Sequence, residues 1–153
     1  MKCEKRSATT AVAVIILSLN CVYAYASGQG DKPTAIAVLQ VKADQAQPRD
    51  RCFLYAELVS EMTDLAIRQV NSGDSGQVSE TLKLVNKNAE NIHLGAVDNS
   101  RRLRETEMLM DHASFRLKEL LNDAANEDRP ALQETLNKLY QVRTQLMMQV
   151  FEK

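Results

Sequence analysis

From Pro48 to the C-terminus, apolar residues recur at spacings of three and four, the period of helices packed on one side, and strand-like alternation is absent. A first helix is predicted from about Asp50 to Asn71, with Cys52, Tyr55, Leu58, Val59, Met62, Leu65, Ala66 and Val70 on its buried side. The run Asn71-Ser72-Gly73-Asp74-Ser75-Gly76 ends it, because glycine permits the left-handed conformation that closes a helix and Asp or Ser caps the next one. The second helix has the most regular stripe, Val78, Leu82, Val85, Ala89, Ile92 and Ala96, in steps of four and three.

Asp98-Ser100 favours a turn through its short polar side chains, and a third helix is predicted from about Arg101 to Ala124. It would bury Leu103, Met110, Ala113, Leu117, Leu120 and Leu121, with Leu109 beside them. Pro130, placed in a first turn where its missing N–H is no loss, opens a fourth helix through Leu132, Leu136, Leu139, Leu146 and Val150 to about Phe151.

Four helices of roughly 33 to 38 Å at 1.5 Å per residue, joined by short connections, give an all-α fold, an antiparallel four-helix up-down bundle. The alternative keeps the segments but runs residues 76–124 as one long helix flanked by two shorter ones. It is the weaker reading, since a rod leaves each half with one neighbour. Residues 27–48 hold two glycines and two prolines around the apolar run Ala35 to Val41 and read as a linker with a short apolar segment. Ile36, Val38, Leu39 and Val41 would cover an open edge of the 49–153 bundle domain or dock on a partner.

The first 26 residues follow another pattern. A basic opening, Met1 to Arg6, leads into the apolar run Ala11 to Leu19 and then to Ala24-Tyr25-Ala26, whose small residues at −3 and −1 fit a signal peptidase. The expected product is a periplasmic or secreted chain cut after Ala26 and beginning at Ser27. A retained anchor is disfavoured because a spanning helix needs ~20 apolar residues, and lipidation of Cys21 because Asn20 precedes it. Cleavage removes Cys3 and Cys21, so Cys52 becomes a lone thiol, read as buried rather than reactive.

Composition narrows the function classes. The formal net charge is −1, and the mature part is more acidic than the whole. That is a poor match to the basic footprint of nucleic-acid binding. Arg101-Arg102-Leu103-Arg104 is the one dense basic run of the mature chain, and Glu105 and Glu107 follow it, so it reads as a self-neutralised helix face with an Arg101 to Glu105 pair. Arg143 interrupts the fourth stripe and is expected to snorkel or to pair with a carboxylate such as Glu61.

Glu90 and His93 have the Glu-x-x-His spacing of metal-binding bundles, and His112 is the other mature histidine. The position three before His112 is Leu109, so the second half of a di-metal motif is missing. Met108 and Met110 project about 200° apart and cannot share an ion from a straight helix, which makes methionine a core filler here. Motifs for covalent haem, phosphate loops, zinc proteases and serine hydrolases are absent. The expectation is a non-enzymatic exported helical bundle, without catalytic, cofactor or metal residues and without stable membrane insertion after cleavage. It would be a protein–protein interaction module binding an envelope protein or itself; the alternative is a small metal- or ligand-binding bundle using Glu90, His93 and His112.

Overall fold

The computed structural model describes residues 32–95 and 102–151, without the side chains of residues 32, 33, 93–95, 150 and 151. The expected export segment and expected cleavage point, together with Ala96, Asp98-Ser100 and Arg101, lie outside the described residues. The described chain is all-α: α1 Lys32–Gln45, α2 Pro48–Ser72, α3 Ser75–Gly95, α4 Leu103–Asp123 and α5 Arg129–Phe151. No described helix is long and apolar enough to cross a membrane.

Local chemistry sets the ends. Pro48 opens α2 at its first turn, two residues before the expected start. Gly73 closes it in the left-handed conformation (φ 77°), with its N–H on the Val70 carbonyl and the Asp74 N–H on the Gln69 carbonyl. Asp74 then caps α3, its Oδ1 accepting from the Gln77 N–H at 3.2 Å while the Gln77 side chain returns a hydrogen bond to Oδ2. Pro130 is the second residue of α5, as its fixed φ favours.

Cross-helix pairs give the directions. Gln69 donates to Gln77 (3.3 Å) and Asn88 approaches the Met62 sulfur (3.4 Å), so α2 and α3 form an antiparallel hairpin. Arg143 meets Glu107 and Asp111 while α4 and α5 adjoin at Asp123 and Arg129, a second antiparallel hairpin. Between hairpins the sense is parallel. Arg102 lies over Phe53 and Arg116 pairs with Asp64 on the α2–α4 side. Ser75 bonds Glu127 and Glu90 pairs with Lys138 on the α3–α5 side.

The expected antiparallel neighbourhood is therefore corrected. Directions alternate along the chain, but α2 lies beside α4 and α3 beside α5 in the same sense, while among the described residues α3 and α4 do not pack on each other. Two hairpins are stacked like successive units. Opposite senses of α3 and α4 also rule out one long helix over 76–124.

The linker expectation fails as well, since residues 32–45 form α1, antiparallel to α2. Tyr55 Oη donates to Asp44 Oδ1 (2.6 Å) and Arg51 Nη2 to the Ala46 carbonyl (2.9 Å), pinning the α1–α2 corner. Ile36 and Ala43 are buried and Leu39 half-buried, whereas Val38 and Val41 are exposed. With α1, α3 and α4 around it, α2 buries five consecutive residues, Cys52 to Ala56, where a one-sided stripe would bury two or three. Val78, Leu82, Val85, Ala89 and Ile92 are buried as the stripe of α3 requires, as are Leu132, Leu136, Leu139 and Leu146 of α5.

Candidate interaction surface

The second hairpin carries the largest exposed side chains on α4 and α5. Phe115 is 56% and Met108 60% exposed, and Tyr140, Met147 and Met148 are also at the surface. Their placement follows from helical geometry at 100° per residue. On α4, Thr106 is buried beside Cys52 of α2. Met108 and Phe115 project about 180 to 200° away from it. On α5, Lys138 reaches α3 through its 2.7 Å bridge to Glu90, and Tyr140 and Met147 project about 180 to 200° from that direction. All four side chains thus belong to the flank of the second hairpin turned away from the first.

Arg143 closes the seam between these two rows. Its Nε lies 3.1 Å from Glu107 Oε1 and its Nη1 3.0 Å from Asp111 Oδ1. The expected Glu61 partner is not used, because Glu61 is on α2, which α5 does not touch. A guanidinium in the stripe is tolerated because two carboxylates on the neighbouring helix neutralise it at a half-exposed position.

Methionine as core filler holds for Met62 and Met110, both buried, and fails for Met108, Met147 and Met148, all exposed. Sequence spacing supplied the signal for the difference: Met108 is two residues from buried Met110 and so faces the other way.

The basic run is expected as a self-neutralised face, and within it Arg102 pairs with Glu105; Arg101 lies outside the described residues. Arg102 also lies over the Phe53 ring at 3.3 Å from its centroid, which the spacing does not indicate. Beside it, Lys42, Gln45, Asp50, Phe53 and Leu54 line an open depression of about 450 Å³ at the α1–α2 corner. Its mixed charges and wide mouth offer no convergent donor set.

Of the residues considered for a metal, Glu90 and His112 are not brought together by the fold. Glu90 is committed to Lys138 on the α5 side of α3, and His112 is exposed on α4, a helix that α3 does not touch. The His93 side chain lies outside the described residues. Among the described residues, no three His, Cys, Asp or Glu side chains are grouped to hold an ion.

Cys52 is fully buried between α2 and α4, and burial pushes its thiol up to about 11, with Thr106 opposing part of the rise. Tyr55 is pushed up to about 12 by burial and by its hydrogen bond to Asp44, so it stays a neutral donor. Both hold a proton at neutral pH: Cys52 lies beside the Thr106 hydroxyl, and the Asp44 carboxylate that accepts from Tyr55 is too weak a base to take a phenol proton.

No family model, curated protein or solved structure matches the chain.

Proposed function

We propose that this chain is exported, processed after Ala26, and acts in the cell envelope or outside the cell as a non-catalytic helical interaction module that uses neither nucleic acid nor a resident metal. The observation that carries this reading is the outer flank of α4 and α5, where Phe115, Met108, Tyr140 and Met147 stand in water beside a neutralised Arg143. Aromatic residues, methionine and arginine are the types enriched where proteins meet, and lysine and glutamate are depleted there. The basic, apolar and small-residue order of Met1 to Ala26 supports export.

Native mass spectrometry of the protein purified from its own host, without added metal or chelator, tests both parts in one spectrum. A chain beginning at Ser27 in a species with a second polypeptide is the expected result. A bare monomer of the full 153 residues would overturn both export and the module, and a stoichiometric ion would favour the metal-binding reading instead.

A further inference from the structure

α1 is held differently from the other four helices. Each of α2, α3, α4 and α5 packs on at least two neighbours, whereas among the described residues α1 packs on α2 alone. It has 14 residues, the fewest of the five helices, and its apolar side chains are divided between two sides. Ile36 and Ala43 are buried on α2 and Leu39 is half-buried, but Val38 and Val41 face water. Docking therefore buries about half of the apolar side chains while ordering the whole helix.

The corner where α1 meets α2 is built like a hinge. Backbone hydrogen bonds close on either side of it: the Ala46 N–H on the Ala43 carbonyl, and the Asp50 and Arg51 N–H groups on the Gln47 carbonyl. Gln47 between them is extended (φ −63°, ψ 149°), and Pro48 has no N–H to tie the two helices together. The chain can thus turn at Ala46-Gln47 without breaking any of these bonds. Two side chains of α2 reach across. Arg51 Nη2 donates to the Ala46 carbonyl at the pivot itself, and Tyr55 Oη donates to Asp44 Oδ1 within α1. The second is 2.6 Å long, the length of a hydrogen bond to a charged oxygen. Among the described residues it is the one side-chain hydrogen bond between α1 proper and α2.

We infer that α1 is a hinged strap, which undocks from α2 as a unit while α2 to α5 stay folded, and that the Tyr55 to Asp44 hydrogen bond is the latch that holds it shut. The other four helices do not depend on α1. Met62 and Gln69 of α2 face α3, while Phe53 and Asp64 face Arg102 and Arg116 of α4. Opening bares Ile36 and Leu39 on α1 together with Leu54 and Tyr55 on α2, Leu54 being a wall of the corner depression it shares with Lys42 and Gln45. The strap thereby gates an apolar strip that the closed form keeps from water. This device is separate from the flank of α4 and α5 and stands whether or not that flank binds a partner.

Hydrogen exchange of the purified protein at neutral pH, read by mass spectrometry, tests the strap. Once undocked, a helix of 14 residues is too short to persist in water, so its amides exchange at each opening. The expected result is exchange of α1 at least about 30-fold faster than exchange of the buried stripe of α3, since a local opening is more frequent than global unfolding. Tyr55→Phe, which keeps the ring and removes the donor, should speed α1 a further ~10-fold. Asp44→Ala, at an exposed position that does not threaten folding, should do the same. Ile92→Val loosens α3 instead and should speed α3 about 3- to 10-fold while leaving α1 unchanged. Exchange of α1 in step with α3, or an Ile92→Val effect equal in both helices, would show that α1 opens only with the whole fold and overturns the strap. An α1 rate that Tyr55→Phe or Asp44→Ala leaves unchanged overturns the latch.

Discussion

Cys52 is a built-in probe of the packing between α2 and α4, and its reactivity follows from two quantities. Its side chain is fully buried and its thiol is pushed from 9.0 to about 11. At pH 8 an ordinary thiol of that starting value is roughly 10% thiolate, and one at 11 is roughly 0.1%, a hundredfold loss of nucleophile before access is considered. Access is the stronger limit, because a fully buried sulfur reacts only after opening. For a domain of about 5 kcal/mol, the open fraction is on the order of 10⁻⁴. Labelling by a disulfide reagent should thus run about 10³ to 10⁴ times slower than a cysteine peptide and become immediate in denaturant.

Leu117→Ala, which empties a fully buried position on α4, should cost about 2 to 5 kcal/mol and speed labelling at least 30-fold. Following the rate by absorbance and assigning the product to Cys52 by peptide mapping checks both numbers. Native-state labelling within tenfold of the peptide rate would refute the reasoning, since it would require Cys52 to be open without unfolding.

Three further outcomes follow. Gly73→Ala should lower stability by about 1 kcal/mol in a denaturant melt, a cost that comes from the backbone alone, because the residue has φ 77° and an added Cβ would meet nothing within 4 Å. Stability should be level near neutrality and fall as pH rises above about 9. The folded Cys52 and Tyr55 keep their protons to about 11 and about 12, whereas the unfolded chain releases them nearer 9.0 and 10.0, so deprotonation favours unfolding; melts from pH 7 to 11 measure it. Arg143→Met should cost on the order of 1 kcal/mol at low salt and less at 1 M salt, while Glu61→Ala should change stability by less than about 0.5 kcal/mol, because Arg143 pairs with Glu107 and Asp111 instead.

The stripes that pack on one side were legible in the sequence. Val78, Leu82, Val85, Ala89 and Ile92 fall in the core because α3 meets α2 and α5 with one sector of its surface, and a single sector leaves a clean period. α1 left no such trace: Ile36, Leu39 and Ala43 face α2 while Val38 and Val41 face water, so apolar residues surround the helix and its run looks like a patch in a linker. α2 hid its burial for the opposite reason, since three neighbours bury Phe53, Leu54 and Ala56 along with the expected Cys52 and Tyr55.

Periodicity gives helices but not which helices are neighbours. Spacing alone therefore offers Glu61 as one example of a carboxylate for Arg143, and it carries no sign of Glu107 and Asp111 as the partners or of the parallel placement of α2 beside α4. Exposed Tyr140 and Met147 of α5 lie seven residues apart in the sequence, but the stronger leucine stripe on the other side of the helix masks them.

The most direct measurement is hydroxyl-radical footprinting of the protein in extract from its own host, compared with the purified protein diluted to nanomolar concentration. Met147, Tyr140 and Phe115 should oxidise several-fold more slowly in the extract, where the flank of α4 and α5 is covered, while exposed Leu84 on α3 should react equally in both. Equal oxidation of Met147, Tyr140 and Phe115 in the two samples would mean that the flank is uncovered in its own setting and would contradict the account.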